Sequence, residues 1–68
     1  MNRRPVSSSN IASIGWEDDA LEIEFRSGHI YVYQNVPELE WQRAVGADSP
    51  GKYVAANIVG RFEHTRVK

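Results

Sequence analysis

The stretch Phe25-Arg26-Ser27-Gly28-His29-Ile30-Tyr31-Val32-Tyr33-Gln34-Asn35-Val36-Pro37 decides the fold of this 68-residue chain. It predicts the end of one strand, a turn, a second strand over residues 29–34, and a proline that stops that strand. Tyr31 and Tyr33 are two residues apart, so both rings lie on the same face of a sheet. The length of the turn decides whether that face is the core or the surface.

Two loop lengths place the tyrosines on opposite faces. A two-residue loop at residues 27–28 pairs Phe25 with Ile30 and turns both tyrosines outwards. A three-residue loop at residues 26–28, with glycine in the left-handed position, pairs Phe25 with His29 and turns them into the core. Glycine as the third residue favours the longer loop, because a two-residue loop prefers Asn-Gly or Asp-Gly. We therefore expect the tyrosines to pack under the helices, with their hydroxyls at the rim or on a buried partner.

Two further strands precede this stretch. Residues 21–25 alternate apolar and polar side chains without a fault, which predicts a strand with one buried face. Residues 11–16 predict an earlier strand, although Ile11 and Ile14 do not alternate, so we expect a bulge near Gly15. Three strands with short links predict an antiparallel meander.

Two helices follow the strands. Pro37, with Glu38 and Glu40 after it, predicts the first turn of one helix, and residues 48–51 predict a break and a capped second helix. The fold class is α+β, with the order β-β-β-α-α: one domain over residues 10–63, between a flexible arm at 1–9 and a frayed end at 64–68. The predicted core is formed by Ile14, Leu21, Ile23, Phe25, Tyr31, Tyr33, Val36, Ala44, Tyr53, Val54 and Ile58.

Composition restricts the class of protein. A net charge of −1 argues against a strongly basic nucleic-acid binder, and the absence of cysteine excludes disulfides and thiolate metal sites. We expect no metal and no cofactor. The start of the chain resembles no signal peptide, and no apolar run approaches the roughly 20 residues that span a bilayer, so a cytoplasmic location is expected. Basic residues concentrate at both ends, which predicts either two solvated tails, the favoured hypothesis, or one joint positive patch.

The order and spacing of several short motifs resemble the KTSC domain family, which is named after a C-terminal segment of some lysyl-tRNA synthetases. The motifs are Ser7-Ser8, Ile11, Ile14-Gly15-Trp16, Leu21, Ile23, Phe25, Gly28, Tyr31-Val32-Tyr33, Val36-Pro37, Ala47 to Tyr53, Ile58 and Phe62. Tyr-x-Tyr is the hallmark of the family. The chain departs from the family pattern at Trp16 and Phe62, where the family usually has tyrosine. Neither side chain has the phenol hydroxyl. The resemblance implies RNA binding, through the synthetase context alone.

A candidate phosphate site lies at Ser49-Pro50-Gly51-Lys52-Tyr53, which combines helix N-terminal amides, a hydroxyl and an ammonium group. It is not a Walker motif, since the upstream glycine and strand are missing. The alternative is a capped helix with Lys52 in solvent. The residues proposed to bind nucleic acid or phosphate are Ser7, Ser8, Tyr31, Tyr33, Ser49, Lys52 and Arg61.

Three functions remain open. The first is a small non-enzymatic module that binds RNA or a nucleotide phosphate, since no spacing indicates a nucleophile, a base and an orienting group. The second is a protein-interaction module, monomeric or weakly dimeric, that uses outward-facing Ile30 and Val32 or an edge strand. The third is a small-molecule or enzymatic pocket beside the tyrosine pair.

Overall fold

The computed structural model describes residues 2–68; Met1, the first residue of the predicted arm, lies outside the described residues. The elements are β1 Arg3–Pro5, β2 Ile11–Glu17, β3 Ala20–Phe25, β4 Ile30–Tyr33, α1 Glu38–Gly46, α2 Pro50–Asn57 and β5 His64–Arg66. The strands form one antiparallel sheet in the order β1-β2-β3-β4-β5. The α+β class is confirmed, but the prediction of three strands is wrong, because the sheet has five.

The two additional strands come from the ends of the chain. β1 pairs with β2, and β5 pairs with β4, within the segments predicted as an arm and as a frayed end. Each has three residues, too few to show an alternating pattern, and each fills an edge that the central meander leaves open. Since β1 and β5 lie at opposite edges of the sheet, the idea that the two basic ends meet in one patch is wrong.

The turn between β3 and β4 has the predicted three-residue form. Leu21 lies opposite Tyr33, and Ile23 lies opposite Tyr31. The Phe25 N–H donates to the His29 carbonyl at 2.9 Å, and Gly28 has a φ of +99°. The register places both tyrosines on the core face of the sheet, as expected, and Ile30 and Val32 on the outer face.

The core lies between that face and the helices. Its buried apolar residues are Ile11, Ile14, Leu21, Ile23, Tyr33, Val36, Ala44, Val54 and Ile58. The prediction omitted Ile11, and it buried Phe25, Tyr31 and Tyr53 too deeply, since these three are only partly buried. Within the part of the chain that the structure describes, no helix has the length and apolarity to cross a membrane.

The bulge in β2 is not at Gly15. The register shifts between Ile11 and Ser13, which brings Ile11 and Ile14 onto the same face. Gly15 has another role: a Cβ there would lie 2.6 Å from the Asn2 carbonyl oxygen. Glycine is therefore required because β1 approaches closely, and no short-range pattern in the sequence reveals this contact.

Candidate nucleotide-binding cavities

A cavity of about 400 Å³ opens beside the turn between β3 and β4, and we call it the aromatic cavity. It is lined by Ser9, Asn10, Phe25, Arg26, Ser27, His29 and Tyr31. The three-residue turn creates it, because that register puts Phe25 and Tyr31 on the same face at the end of the hairpin. The link between β1 and β2 supplies the remaining side through Ser9 and Asn10.

The rings of this cavity belong to a continuous aromatic row. The ring centroids of Phe25 and Tyr31 are 5.5 Å apart, with the planes at 75°. His64, from β5, stacks on Tyr31 at 5.2 Å and 6° and contacts Tyr33 at 5.1 Å. Since His64 does not line the cavity, it supports the Tyr31 ring from outside it. Such edge-to-face and stacked contacts hold aromatic side chains in place.

A second cavity, the helix cavity, lies at the start of α2 and has a volume of about 370 Å³. Its lining is Ser9, Asn10, Ser49, Gly51, Lys52 and Ala55. As predicted, Ser49 caps the helix: its hydroxyl accepts from the Lys52 N–H at 3.3 Å. The Gly51 N–H has no hydrogen-bond partner among residues 2–68. One backbone donor and the exposed Lys52 side chain are thus available to a ligand.

Ser9 and Asn10 line both cavities and separate them. Hydrogen bonds fix this common wall: Ser8 Oγ donates to Asn10 Oδ1 at 3.0 Å, and the Arg26 N–H donates to the Asn10 carbonyl at 2.9 Å. On the other side, a Cβ at Gly51 would lie 2.5 Å from Asn10 Oδ1. Gly51 thus lets α2 approach the wall, and three distant segments of the chain meet around Asn10.

The charges around the cavities are predominantly positive. Arg26 and Lys52 are in the linings, and neither lining contains a carboxylate. On the opposite, outer face of the sheet, Arg3 Nη1 lies 2.6 Å from Glu22 Oε2, and Ser13 Oγ donates to Glu24 Oε1 at 2.9 Å. The two faces therefore differ in charge although the chain as a whole is nearly neutral.

Two tyrosines have shifted ionisation. Burial raises the pKa of Tyr33 above its ordinary value, and the neighbouring Tyr31 raises the pKa further. Burial also raises the pKa of Tyr53, whose hydroxyl donates to Glu40 Oε1 at 2.7 Å. Both phenols therefore keep their protons at neutral pH. They can donate hydrogen bonds, but they are not poised to act as bases.

The structure brings together some of the predicted site residues. Tyr31 lines the aromatic cavity, Ser49 and Lys52 line the helix cavity, and Ser8 lies against Gly51 beside the common wall. Ser7, Tyr33 and Arg61 line neither cavity, and only 2% of Tyr33 is exposed.

Sequence reasoning missed six lining residues of the aromatic cavity as site residues: Ser9, Asn10, Phe25, Arg26, Ser27 and His29. A signal for two of them was present, since the three-residue loop pairs Phe25 with His29 beside Tyr31. The place of Asn10 depends on how α2 docks, and no local pattern indicates it.

Interaction through Ile30 and Val32 stays a prediction. Both side chains are half-buried on the outer face, and the two helices of residues 2–68 pack on the other face. The large apolar side chains that are exposed in the described chain are instead Leu39, Val59 and Val67.

The chain is similar to known proteins over most of its length. The family model of the KTSC domain matches residues 7–62. An uncharacterised protein from Stutzerimonas stutzeri is 38% identical over an alignment of 68 positions, which covers 97% of this chain and 93% of that protein. The crystal structure of a KTSC domain protein from Yersinia pestis has a TM-score of 0.92 and 40% identity, and the match covers 98% of this chain and 97% of that one.

Proposed function

We propose that this chain, which belongs to the KTSC domain family, is a non-enzymatic module that binds RNA through its phosphate groups. The observation that carries the proposal is the pair of adjoining cavities with a common wall at Ser9 and Asn10. One cavity offers aromatic rings, and the other offers a lysine at a helix start. A nucleotide contains both of the groups that such surfaces bind, a flat base and an anionic phosphate.

The helix cavity supplies three features that suit a phosphate. The Gly51 N–H points from the first turn of α2, and the positive end of the helix dipole lies there. Lys52 adds a full positive charge. Because its side chain is exposed, it can contact an anion without rearrangement of the protein. The first turn of α2 contains no acidic residue that would compete with the ligand.

The aromatic cavity extends the positive surface. Arg26 Nε donates to the Ser8 carbonyl at 2.7 Å, which fixes the guanidinium beside the common wall. Arg66 lies opposite Tyr31 in the β4–β5 pair, so it is on the same face of the sheet. A strand of RNA that follows these cations meets no carboxylate in either lining. The local charge, and not the net charge of −1, determines the binding expected.

The test is the salt dependence of RNA binding. For a short single-stranded RNA, the logarithm of the binding constant should fall linearly with the logarithm of the salt concentration, with a slope of about −0.7 per phosphate contacted. Lys52→Gln should make this slope shallower by about 0.7, because one phosphate contact is lost. Fluorescence anisotropy at several salt concentrations gives both numbers.

Arg4→Gln is the matched control, since Arg4 is exposed on β1, lines neither cavity and carries the same charge. It should leave the slope unchanged. Equal effects of the two variants would show that binding is not located at the helix cavity. Absence of binding at low salt would contradict the proposal itself.

A second candidate is the binding of a small molecule, which the concavity of the aromatic cavity favours. A volume of about 400 Å³ lies within the range of small-molecule pockets. Mononucleotides distinguish the two functions: if they bind as tightly as the oligomer and with the same salt dependence, the ligand is the small molecule.

A further inference from the structure

We infer that the aromatic cavity takes one unpaired nucleobase, so that the ligand of the module is single-stranded RNA and not a duplex. The inference rests on the proposed function and specifies its ligand. In a duplex, each base is stacked and paired, and its faces are not accessible to a side chain. A protein that binds a base in a cavity of its own selects strands whose bases are free.

The geometry of the rings suits a flat heterocycle. Phe25 and Tyr31 meet at 75°, with their centroids 5.5 Å apart, so they form a corner. A base that lies flat against one ring presents its edge to the other. It would thus be stacked on one ring and edge-to-face with the other, the two arrangements that aromatic groups prefer. The cavity lies at this corner and accommodates a group of that size.

The cavity is formed before any ligand binds. His64 stacks on Tyr31 outside the cavity, and Tyr33, buried in the core, contacts His64 in turn. The backbone of Phe25 is fixed by its N–H bond to the His29 carbonyl, and its ring packs edge-to-face against Tyr31. Little side-chain ordering remains to oppose binding, and this favours affinity for a group as small as one base.

The rim carries polar groups that match the edge of a base. Ser9, Asn10 and Ser27 line the cavity with two hydroxyls and one amide. Because Asn10 Oδ1 already accepts from Ser8, the amide nitrogen of Asn10 is left as the donor. Arg26 supplies a planar cation that stacks on a base or pairs with its phosphate.

The common wall decides between a nucleobase and other flat groups, such as the aromatic side chain of a peptide. Ser9 and Asn10 border the aromatic cavity on one side and the helix cavity, with Lys52, on the other. A base bound in the aromatic cavity would therefore place its phosphate next to the helix cavity. An aromatic residue of a peptide carries no anion of its own, so a peptide places a negative charge there only where its sequence has an acidic neighbour, whereas every nucleotide of a strand carries a phosphate.

The experiment compares an intact strand with an abasic strand of the same phosphate number, and with the corresponding duplex, which carries twice as many phosphates. A short single-stranded RNA, the same strand with abasic sugars, and the corresponding duplex are titrated into the full chain at low salt. We expect the intact single strand to bind about five-fold to 150-fold more tightly than the abasic strand, which is the range that one stacked base contributes. Compared at equal phosphate concentration, the duplex should bind no better than the abasic strand, because neither presents a free base.

Variants locate the effect. Phe25→Leu keeps an apolar side chain in the cavity but removes the ring, and it should weaken binding of the intact strand without changing that of the abasic strand. Phe62→Leu is the control, because Phe62 is also partly buried against the core and lines neither cavity. It should change neither affinity. Amide spectra of both variants verify the fold.

The outcomes separate the two proposals. If, at equal phosphate concentration, the abasic strand or the duplex binds as tightly as the intact strand, binding of a base in the aromatic cavity is refuted while phosphate binding stands. If free nucleosides shift the amides of His29 and Tyr31 but no strand binds, binding of a base in the aromatic cavity is supported and the proposed function fails. If no ligand binds at low salt, both are overturned.

Discussion

The two tyrosines of β4 differ in burial and therefore in role. Tyr33 lies opposite Leu21 on the core face and is 2% exposed, whereas Tyr31 lies at the hairpin end of β4 and is only partly buried. The Tyr33 hydroxyl bonds to no other described residue, yet no side-chain polar atom of residues 2–68 is both buried and unpaired. The hydroxyl thus reaches solvent at the rim of the core, while the ring is part of the packing.

Tyr33 should make the protein less stable at alkaline pH. Its pKa in the folded state is raised above 10.0, chiefly by burial. Below about pH 10 both states are protonated and stability is complete; as pH rises further, the unfolded chain ionises first and the free energy of unfolding falls. Tyr33→Phe removes this component, so the variant should lose less stability than the wild type between neutral pH and about pH 11. Chemical denaturation of both proteins at each pH measures the free energy of unfolding.

The control for this prediction is Tyr53→Phe. Tyr53 also has a raised pKa, so this variant too should lose less stability as pH rises. Because the Tyr53 hydroxyl donates to Glu40, however, Tyr53→Phe should be destabilised already at neutral pH, which Tyr33→Phe should not. Identical pH profiles for the wild type and Tyr33→Phe would show that Tyr33 titrates with its ordinary pKa.

The role of a residue was predictable from the sequence where the atoms that determine it belong to neighbouring residues of the chain. Gly28 could be assigned to the left-handed position of a three-residue loop, because the steric requirement lies within the turn. Gly15 and Gly51 could not be explained in this way. The atoms that exclude a side chain there belong to Asn2 and Asn10, which are distant in sequence.

At the scale of elements, the central meander and both helices were predictable, and the edge strands were not. β3 alternates, and α2 carries its cap at Ser49. β1 and β5 have three residues each and lie almost entirely in solvent, so their pairing depends on the open edges of β2 and β4.

Gly15→Ala tests how β1 is held. The new Cβ would lie 2.6 Å from the Asn2 carbonyl, so β1 must move, at a cost of about 1–3 kcal/mol in the free energy of unfolding. Hydrogen exchange should accelerate at the Val6 N–H, which bonds to the Ala12 carbonyl at 3.2 Å. Denaturation and amide exchange measure the two effects.

Gly46→Ala is the matched substitution, because nothing lies within 4 Å of a Cβ at the end of α1. It should stabilise the protein by about 0.5 kcal/mol, since alanine is the better helix former. A Gly15→Ala variant as stable as the wild type, with Val6 still protected, would mean that β1 does not approach β2 as described.

At the scale of the whole molecule, the candidate site is a meeting point of three segments. The link at residues 9–10, the hairpin at residues 25–31 and the start of α2 each contribute to the two cavities. The sequence indicated the hairpin and the helix start separately. The distance between the hairpin and the start of α2, and the position of residues 9–10 between them, depend on how α2 packs on the sheet. That packing is set by long-range contacts, which no local pattern in the sequence reveals.

The most direct test of RNA binding at these cavities is chemical-shift mapping of the labelled protein with a short single-stranded RNA at low salt. We expect shifts at the amides of Asn10, Arg26, His29, Gly51 and Lys52, which decrease as salt is added. The amides of Glu22 and Glu24, whose side chains are on the outer face, should shift little. Shifts confined to those outer-face residues, or no shift at either cavity, would contradict the proposed binding site.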